Sequence, residues 1–254
     1  MICRFLGGNE RSHSRAARFP SSLFTIQALT PLASLSARSI ADASRRGYIA
    51  SAKPSQELGE VTEGTRNMAK VRKLGGWMTR FKRCIDAEAG AAVSKKVIIK
   101  PEQFDGTSNY ARKAEWIRNA VQRLEKEAGR ATAIRVMQAC GMKCCGPTQQ
   151  KRAKQFMEES HSVEGLLAKL NEAGIGGGRL KLKNKNTIVG GYDWCYCGRV
   201  KQTKEPFPTD TYCHCSTGWY KSLFEAAFDK PVEVILKQSI LQEADSCEFE
   251  IRFG

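Results

Sequence analysis

The chain has 254 residues, of which 41% are hydrophobic, and a formal net charge of +15 at pH 7. This length is enough for one substantial domain with extra segments, or for two small domains. No apolar run approaches the roughly 18–20 residues of a membrane-spanning helix, so we expect a soluble protein. The positive charge is spread along the chain, which favours a solvated basic surface over a dedicated nucleic-acid-binding face.

The first 67 residues differ from the rest of the chain. They are rich in Arg and Ser, poor in acidic residues, and show no sustained apolar period. This composition is typical of a transit peptide for organellar import, but also of a disordered tail or of sequence upstream of a miscalled start. Met68 is a plausible true start. Residues 68–107 form a transitional segment in which 97–99 could be a short strand, and we assign the main domain to residues 108–254.

Helical apolar spacing dominates the first half of this domain. Ser108 and Ser162 are predicted N-caps, and Gly129 and Gly174 are predicted stops. Helices are therefore expected over residues 109–128, 131–142, 149–159 and 163–173.

Alternating apolar residues follow and predict strands. The strands are expected over residues 179–183, over 187–197 with a bend at Gly190-Gly191, and over 212–215. A helix opening at Ser216 or Gly218 should end before Pro231, and residues 232–237 and 247–253 should form a β-hairpin. The expected fold class is α+β, with an antiparallel sheet packed against several helices, ending in a helix followed by a β-hairpin.

The ten cysteines are distributed unevenly. Cys3 and Cys84 are isolated, whereas the other eight lie between Cys140 and Cys247. Without a convincing signal peptide, closely spaced cysteine pairs favour metal or redox chemistry over structural disulfides. We therefore expect a reducing compartment, with the cytoplasm as the primary assignment and organellar import as an alternative.

Two Cys-x-Cys pairs are the strongest chemical signal. Side chains two residues apart on a strand share a face, so two paired strands would bring four thiols together. Thiolates bind zinc well, and copper(I) or an iron–sulfur cluster remains an alternative. Cysteines four apart at a helix end could add ligands. The candidate metal ligands are Cys140, Cys144, Cys195, Cys197, Cys213 and Cys215. Cys247 opens an alternating apolar face and is expected to be a core thiol.

Other functions remain open from the sequence. A hydrolase or redox enzyme would use Cys145 or Cys215 as a reactive thiol, with His214 as a candidate base, or would use a metal that keeps an open position for substrate. The aromatic residues near the cysteine pairs could line a pocket for a small hydrophobic or aromatic molecule. Residues 179–185 could form a basic hairpin for nucleic acid, but no recognised reading motif accompanies them.

The motifs Asp193-Trp-Cys-Tyr-Cys-Gly and Tyr212-Cys-His-Cys-Ser-Thr-Gly-Trp-Tyr, with the closing segments Lys230-Pro-Val-Glu-Val and Cys247-Glu-Phe-Glu-Ile, carry a resemblance. Over about residues 108–254 the chain resembles an uncharacterised cysteine-rich bacterial family. That family is distantly similar to the 4-vinyl reductase-type small-molecule-binding domain. The resemblance implies helices against an antiparallel sheet and binding of a small hydrophobic molecule or a metal, but it implies no catalytic residues. The leading expectation is a metal-binding small-molecule or sensory domain.

Overall fold

The computed structural model of the protein describes residues 74–254. The predictions of a tail, a transit peptide or a miscalled start for residues 1–67 lie outside the described residues. The helices in chain order are α1 (Gly76–Ala89), α2 (Ala91–Val97), α3 (Glu102–Asp105), α4 (Tyr110–Ala128), α5 (Arg130–Cys144), α6 (Pro147–Ser160), α7 (Val163–Glu172) and α8 (His214–Phe228). The strands are β1 (Lys181–Asn184), β2 (Thr187–Tyr192), β3 (Val232–Gln238) and β4 (Cys247–Phe253).

The segment before residue 108 is mostly helical where the structure describes it. Met78, Phe81 and Ile85 recur at helical spacing and are buried, which explains why α1 forms and packs against α5. Val97 ends α2, so the suggested strand at residues 97–99 is absent. α1, α2 and α3 share one hydrophobic cluster with α4 and α5. These three short helices therefore belong to the packed structure that carries the cysteines.

The next four helices follow the sequence signals closely. Asn109, one residue after the expected Ser108, caps α4 by accepting hydrogen bonds from the backbone N–H groups of Ala111 and Arg112. Ser162 caps α7 as predicted, with its hydroxyl accepting from the N–H of Gly165 at 3.1 Å. Capping side chains satisfy N–H groups that a helix leaves without internal partners, which fixes where each helix begins.

The four strands form one antiparallel sheet in the order β1-β2-β4-β3. β4 is central, and Phe249 and Ile251 on it are buried against Leu223 and Phe224 of α8 in a second hydrophobic cluster. The helix followed by a β-hairpin, here α8 followed by β3 and β4, is confirmed, as is the α+β class with its antiparallel sheet.

Two glycines allow α5 and α8 to approach closely. A Cβ at Gly141 would lie 1.8 Å from the carbonyl oxygen of Cys215, and one at Gly218 would lie 2.0 Å from that of Gln138. Because real carbon–oxygen contacts are never this short, only glycine permits the observed crossing. This crossing places the C-terminal half of α5 beside the first turn of α8, and cysteines lie on both segments.

Candidate thiol site

A cavity of about 130 Å³ lies between α1, the end of α5, the end of β2 with the segment after it, and the start of α8. Six cysteines line it: Cys144, Cys195, Cys197, Cys213, Cys215 and Cys247. Five aromatic residues also line it: Trp77, Tyr192, Tyr196, Tyr212 and Trp219. Among residues 74–254 no cysteine takes part in a disulfide. Five of the six predicted metal ligands therefore meet at one cavity. The sixth, Cys140, lies close enough to Cys215 for the charge of a Cys215 thiolate to raise its pKa; we call residues related in this way electrostatic neighbours.

The expected strand geometry of the two Cys-x-Cys pairs is wrong. β2 ends at Tyr192, which pairs with Cys247, the first residue of β4, so the chain beyond has no strand to pair with. Cys195 and Cys197 consequently lie in an irregular segment. Cys213 ends a 3-10 turn that runs directly into α8, and Cys215 lies in the first turn of that helix. The thiols converge through packing of a loop on a helix, and not through a pair of strands.

Cys247 is buried in the second hydrophobic cluster, as its alternating neighbours predicted, and it also lines the cavity. Its side chain is buried and its thiol is hydrogen-bonded to that of Cys213. Cys195 has Cys197 and Cys247 as electrostatic neighbours, and Cys213 has Cys195. We call Cys195, Cys197, Cys213 and Cys247 the four-sulfur set. The sequence feature that could have placed Cys247 at the cavity is its position as the first residue of β4, because this end of the sheet faces the cavity.

Each sulfur of the four-sulfur set has a hydrogen-bonding group beside it. The Sγ of Cys197 lies 3.1 Å from the Tyr212 hydroxyl, and that of Cys213 lies 2.8 Å from the Ser239 hydroxyl. The backbone N–H of Ile240 donates to Cys247 Sγ at 3.4 Å. The backbone N–H of Cys197 donates to Cys195 Sγ. Groups that can donate to sulfur stabilise thiolates and orient them toward a ligand.

The pKa values within the set diverge. The hydrogen bond from Cys213 lowers the pKa of Cys247 to about 7, and the same contact, together with burial, raises the pKa of Cys213. Burial raises the pKa of Cys195 to about 12. Near neutral pH one thiol of the set is thus close to ionisation while others hold their protons. A cation that binds here must displace those protons.

Two basic side chains lie near the set. Arg179 is an electrostatic neighbour of Cys247, and Lys201 is an electrostatic neighbour of Cys195. Within residues 74–254, no three His, Cys, Asp or Glu side chains already stand in a metal-binding arrangement. Closure of all four sulfurs around one ion would therefore require side-chain rotations.

The three predicted catalytic residues do not face a common site. Cys145 is buried and does not line the cavity, and burial raises its pKa to about 12. His214 also lies outside the cavity, with its Nε2 3.7 Å from Asp210 Oδ1, and burial lowers its pKa. Only Cys215 faces the cavity, where it is half-buried. No thiol–imidazole pair therefore forms from these three residues.

The basic hairpin is partly neutralised. The guanidinium of Arg179 lies 2.7 Å from the carboxylate of Asp193, and the ammonium of Lys183 lies 3.3 Å from that of Glu250. These pairings reduce the positive potential that a phosphate backbone would meet. Across residues 74–254, no helix combines the length and the hydropathy needed to cross a bilayer.

Comparison with protein families gives one match over most of the chain. A profile described as a family of unknown function (DUF6144) matches residues 68–253. No curated protein matches the chain. The match extends across the helices before residue 108 and across all six cysteines that line the cavity.

Proposed function

We propose that the chain, which belongs to this family of unknown function, is a metal-binding domain in which the four-sulfur set holds one zinc ion. The observation that carries this proposal is the hydrogen-bonding environment of the set. Four thiols from distant parts of the chain surround one cavity, and each has a backbone N–H or a hydroxyl beside its sulfur. Ordinary buried core thiols have no need of such an environment, because neutral cysteine packs as a small apolar side chain.

Zinc suits four sulfurs because structural zinc sites are tetrahedral and often consist of four cysteines. Four thiolates around one divalent cation leave two negative charges. Lys201 near Cys195 would partly offset them, whereas Arg179 near Cys247 is already paired with Asp193. Copper(I) and an iron–sulfur cluster use the same soft donors and are outcomes that a metal analysis would separate.

The size of the cavity favours a metal over an organic ligand as the primary occupant. Pockets for drug-sized molecules measure roughly 300–1,000 Å³, whereas this cavity measures about 130 Å³. The aromatic wall formed by Trp77, Tyr196 and Trp219 could contact a small hydrophobic molecule beside the metal. That arrangement would suit a sensory role, and it would suit the small-molecule binding that the resemblance of the sequence motifs to the 4-vinyl reductase-type domain implies.

The test is the metal content of the full chain, purified under reducing conditions without chelators. We expect about one zinc per chain. Cys213→Ser and Cys247→Ser should each lose most of it, since each removes one ligand and leaves three. Cys145→Ser is the matched control, because this thiol is buried but lies outside the cavity.

The absorption spectrum of the cobalt-substituted protein provides a second measurement that reports tetrahedral thiolate coordination directly. A well-folded wild type that holds no metal would refute the proposal. Full zinc content in Cys247→Ser would refute the ligand set, and so would loss of zinc in Cys215→Ser, which would make Cys215 a ligand.

A further inference from the structure

A second contact between thiols lies outside the four-sulfur set. The side chains of Cys84 on α1 and Cys140 on α5 interact within one buried cluster, where these two helices pack together. Cys84 is 0% exposed and Cys140 is 3% exposed. The two residues are 56 positions apart in the sequence, and Cys84 has no cysteine near it along the chain. Only the packing of α1 on α5 brings their sulfurs together.

Basic groups surround this pair. The positive charges of Lys143 and Arg80 favour the thiolate of Cys84, and Arg80 also acts on Cys140. Thiol–disulfide exchange proceeds through the thiolate, and cationic neighbours favour that form. On its other side Cys140 has Cys215, which lines the cavity, as an electrostatic neighbour. The pair therefore lies near Cys215 of the cavity wall.

We propose that Cys84 and Cys140 are a reversible disulfide site that links α1 to α5 when a low-molecular-weight disulfide such as oxidised glutathione is present. Local opening of α1 exposes Cys84, and its thiolate then attacks one sulfur of that disulfide, which breaks the S–S bond and releases one glutathione thiolate. Cys140 then attacks the Cys84 sulfur, forms the protein disulfide and releases the second thiolate. The two protein thiols supply two electrons, and their two protons pass to the released glutathione molecules.

This disulfide would act on the cavity through α1. Trp77 on α1 lines the cavity, and the guanidinium of Arg80 donates to the Sγ of Cys144 at 3.4 Å. A covalent link at Cys84, one turn from Arg80, would hold this helix on the cavity wall. The link uses no member of the four-sulfur set, so it does not depend on the proposed zinc site.

The test treats the full chain with oxidised glutathione at neutral pH, quenches with acid, alkylates the denatured protein and maps its peptides by mass spectrometry. We expect one cross-linked species that joins the peptides of Cys84 and Cys140, and its loss on reduction with dithiothreitol. The link closes a loop of more than fifty residues, so the Tm should rise by roughly 5 °C or more.

Variants separate this pair from the other thiols. Cys84→Ala and Cys140→Ala should each abolish the cross-link and the rise in Tm, whereas Cys145→Ala should keep both. Alkylation of Cys84 and Cys140 as separate thiols after prolonged oxidation, or a link from Cys84 to another cysteine, would overturn the proposal. The peptide map of the wild-type protein shows by itself whether the cross-link forms, so the test still holds if a variant misfolds. Zinc content measured on the same samples reports the four-sulfur set separately.

Discussion

Substitution of Gly141 by Ala tests whether the close crossing of α5 and α8 positions the thiol site. Gly141 lies in the last turn of α5, where an added Cβ would be 1.8 Å from the carbonyl oxygen of Cys215 and 2.9 Å from the backbone nitrogen of Trp219. Both neighbours are backbone atoms of α8, so no side-chain rotation can relieve the clash. The two helices must separate locally, and both Cys215 and Trp219 line the cavity.

The expected loss in the free energy of unfolding follows from the 1.8 Å distance. Ordinary contact begins at 3.4 Å, so the carbonyl oxygen must move by about 1.6 Å. Overpacking a core costs roughly 1–3 kcal/mol, and a clash with backbone belongs at the upper end. Ala is favoured over Gly in a helix by about 1 kcal/mol, which offsets part of the cost. The net loss in the free energy of unfolding should be about 2 kcal/mol, which corresponds to a decrease in Tm of roughly 4–8 °C.

Urea denaturation followed by circular dichroism measures this loss, and zinc content measured on the same samples reports the site. Gly76→Ala is the matched control, because Gly76 opens α1 and nothing lies within 4 Å of its added Cβ. The control should stay within about 0.5 kcal/mol of the wild type. If Gly141→Ala is as stable as the control and retains its metal, the close crossing does not position the site.

Two further predictions concern stability alone. Asn109→Ala removes the acceptor for the N–H groups of Ala111 and Arg112 and should cost about 1 kcal/mol in urea denaturation, whereas Ser108→Ala should be nearly neutral; the reverse order would contradict the capping assignment. The pKa of Cys145 is raised by burial from 9.0 to about 12, so the preference of the folded state for the neutral thiol is fully present below pH 9 and is lost as the pH rises toward 12. Between pH 8 and pH 10 the wild type should therefore lose about 1.4 kcal/mol more stability than Cys145→Ala, and equal losses would contradict it.

Local signals in the sequence predicted the regular elements well where one face is buried and the ends are marked. The Ser162 cap and the hairpin of β3 and β4 are examples, because capping and alternation are properties of neighbouring residues. The site was predicted only as a region. Strand geometry failed for Cys195 and Cys213 because pairing depends on a partner strand, and β4 ends its pairing with β2 at Tyr192.

The sequence did not assign Cys247 to the cavity or give Cys84 a thiol partner. In both cases an element distant in the sequence creates the contact. Cys247 resembles a core position by alternation, and only the sheet register places it opposite Tyr192 at the cavity. Cys84 is isolated in the sequence, and only the packing of α1 on α5 gives it a thiol partner. The apolar spacing of Met78, Phe81 and Ile85 could have revealed α1, but no local pattern shows which helix α1 contacts.

The segment between β2 and α8 would depend on the proposed zinc site for its stability. Residues 193–210 contain no helix or strand and carry Cys195 and Cys197, half of the four-sulfur set. Buried Val200 and Phe207 attach this segment to the hydrophobic cluster of α1, α4 and α5, and the N–H of Phe207 donates to the carbonyl of Leu241 at 2.7 Å. With few backbone hydrogen bonds of its own, the segment has little local stability, so coordination by sulfur would contribute most here. The well-packed helices and sheet bury their own cores, so metal binding would order this segment and leave the surrounding fold largely unchanged.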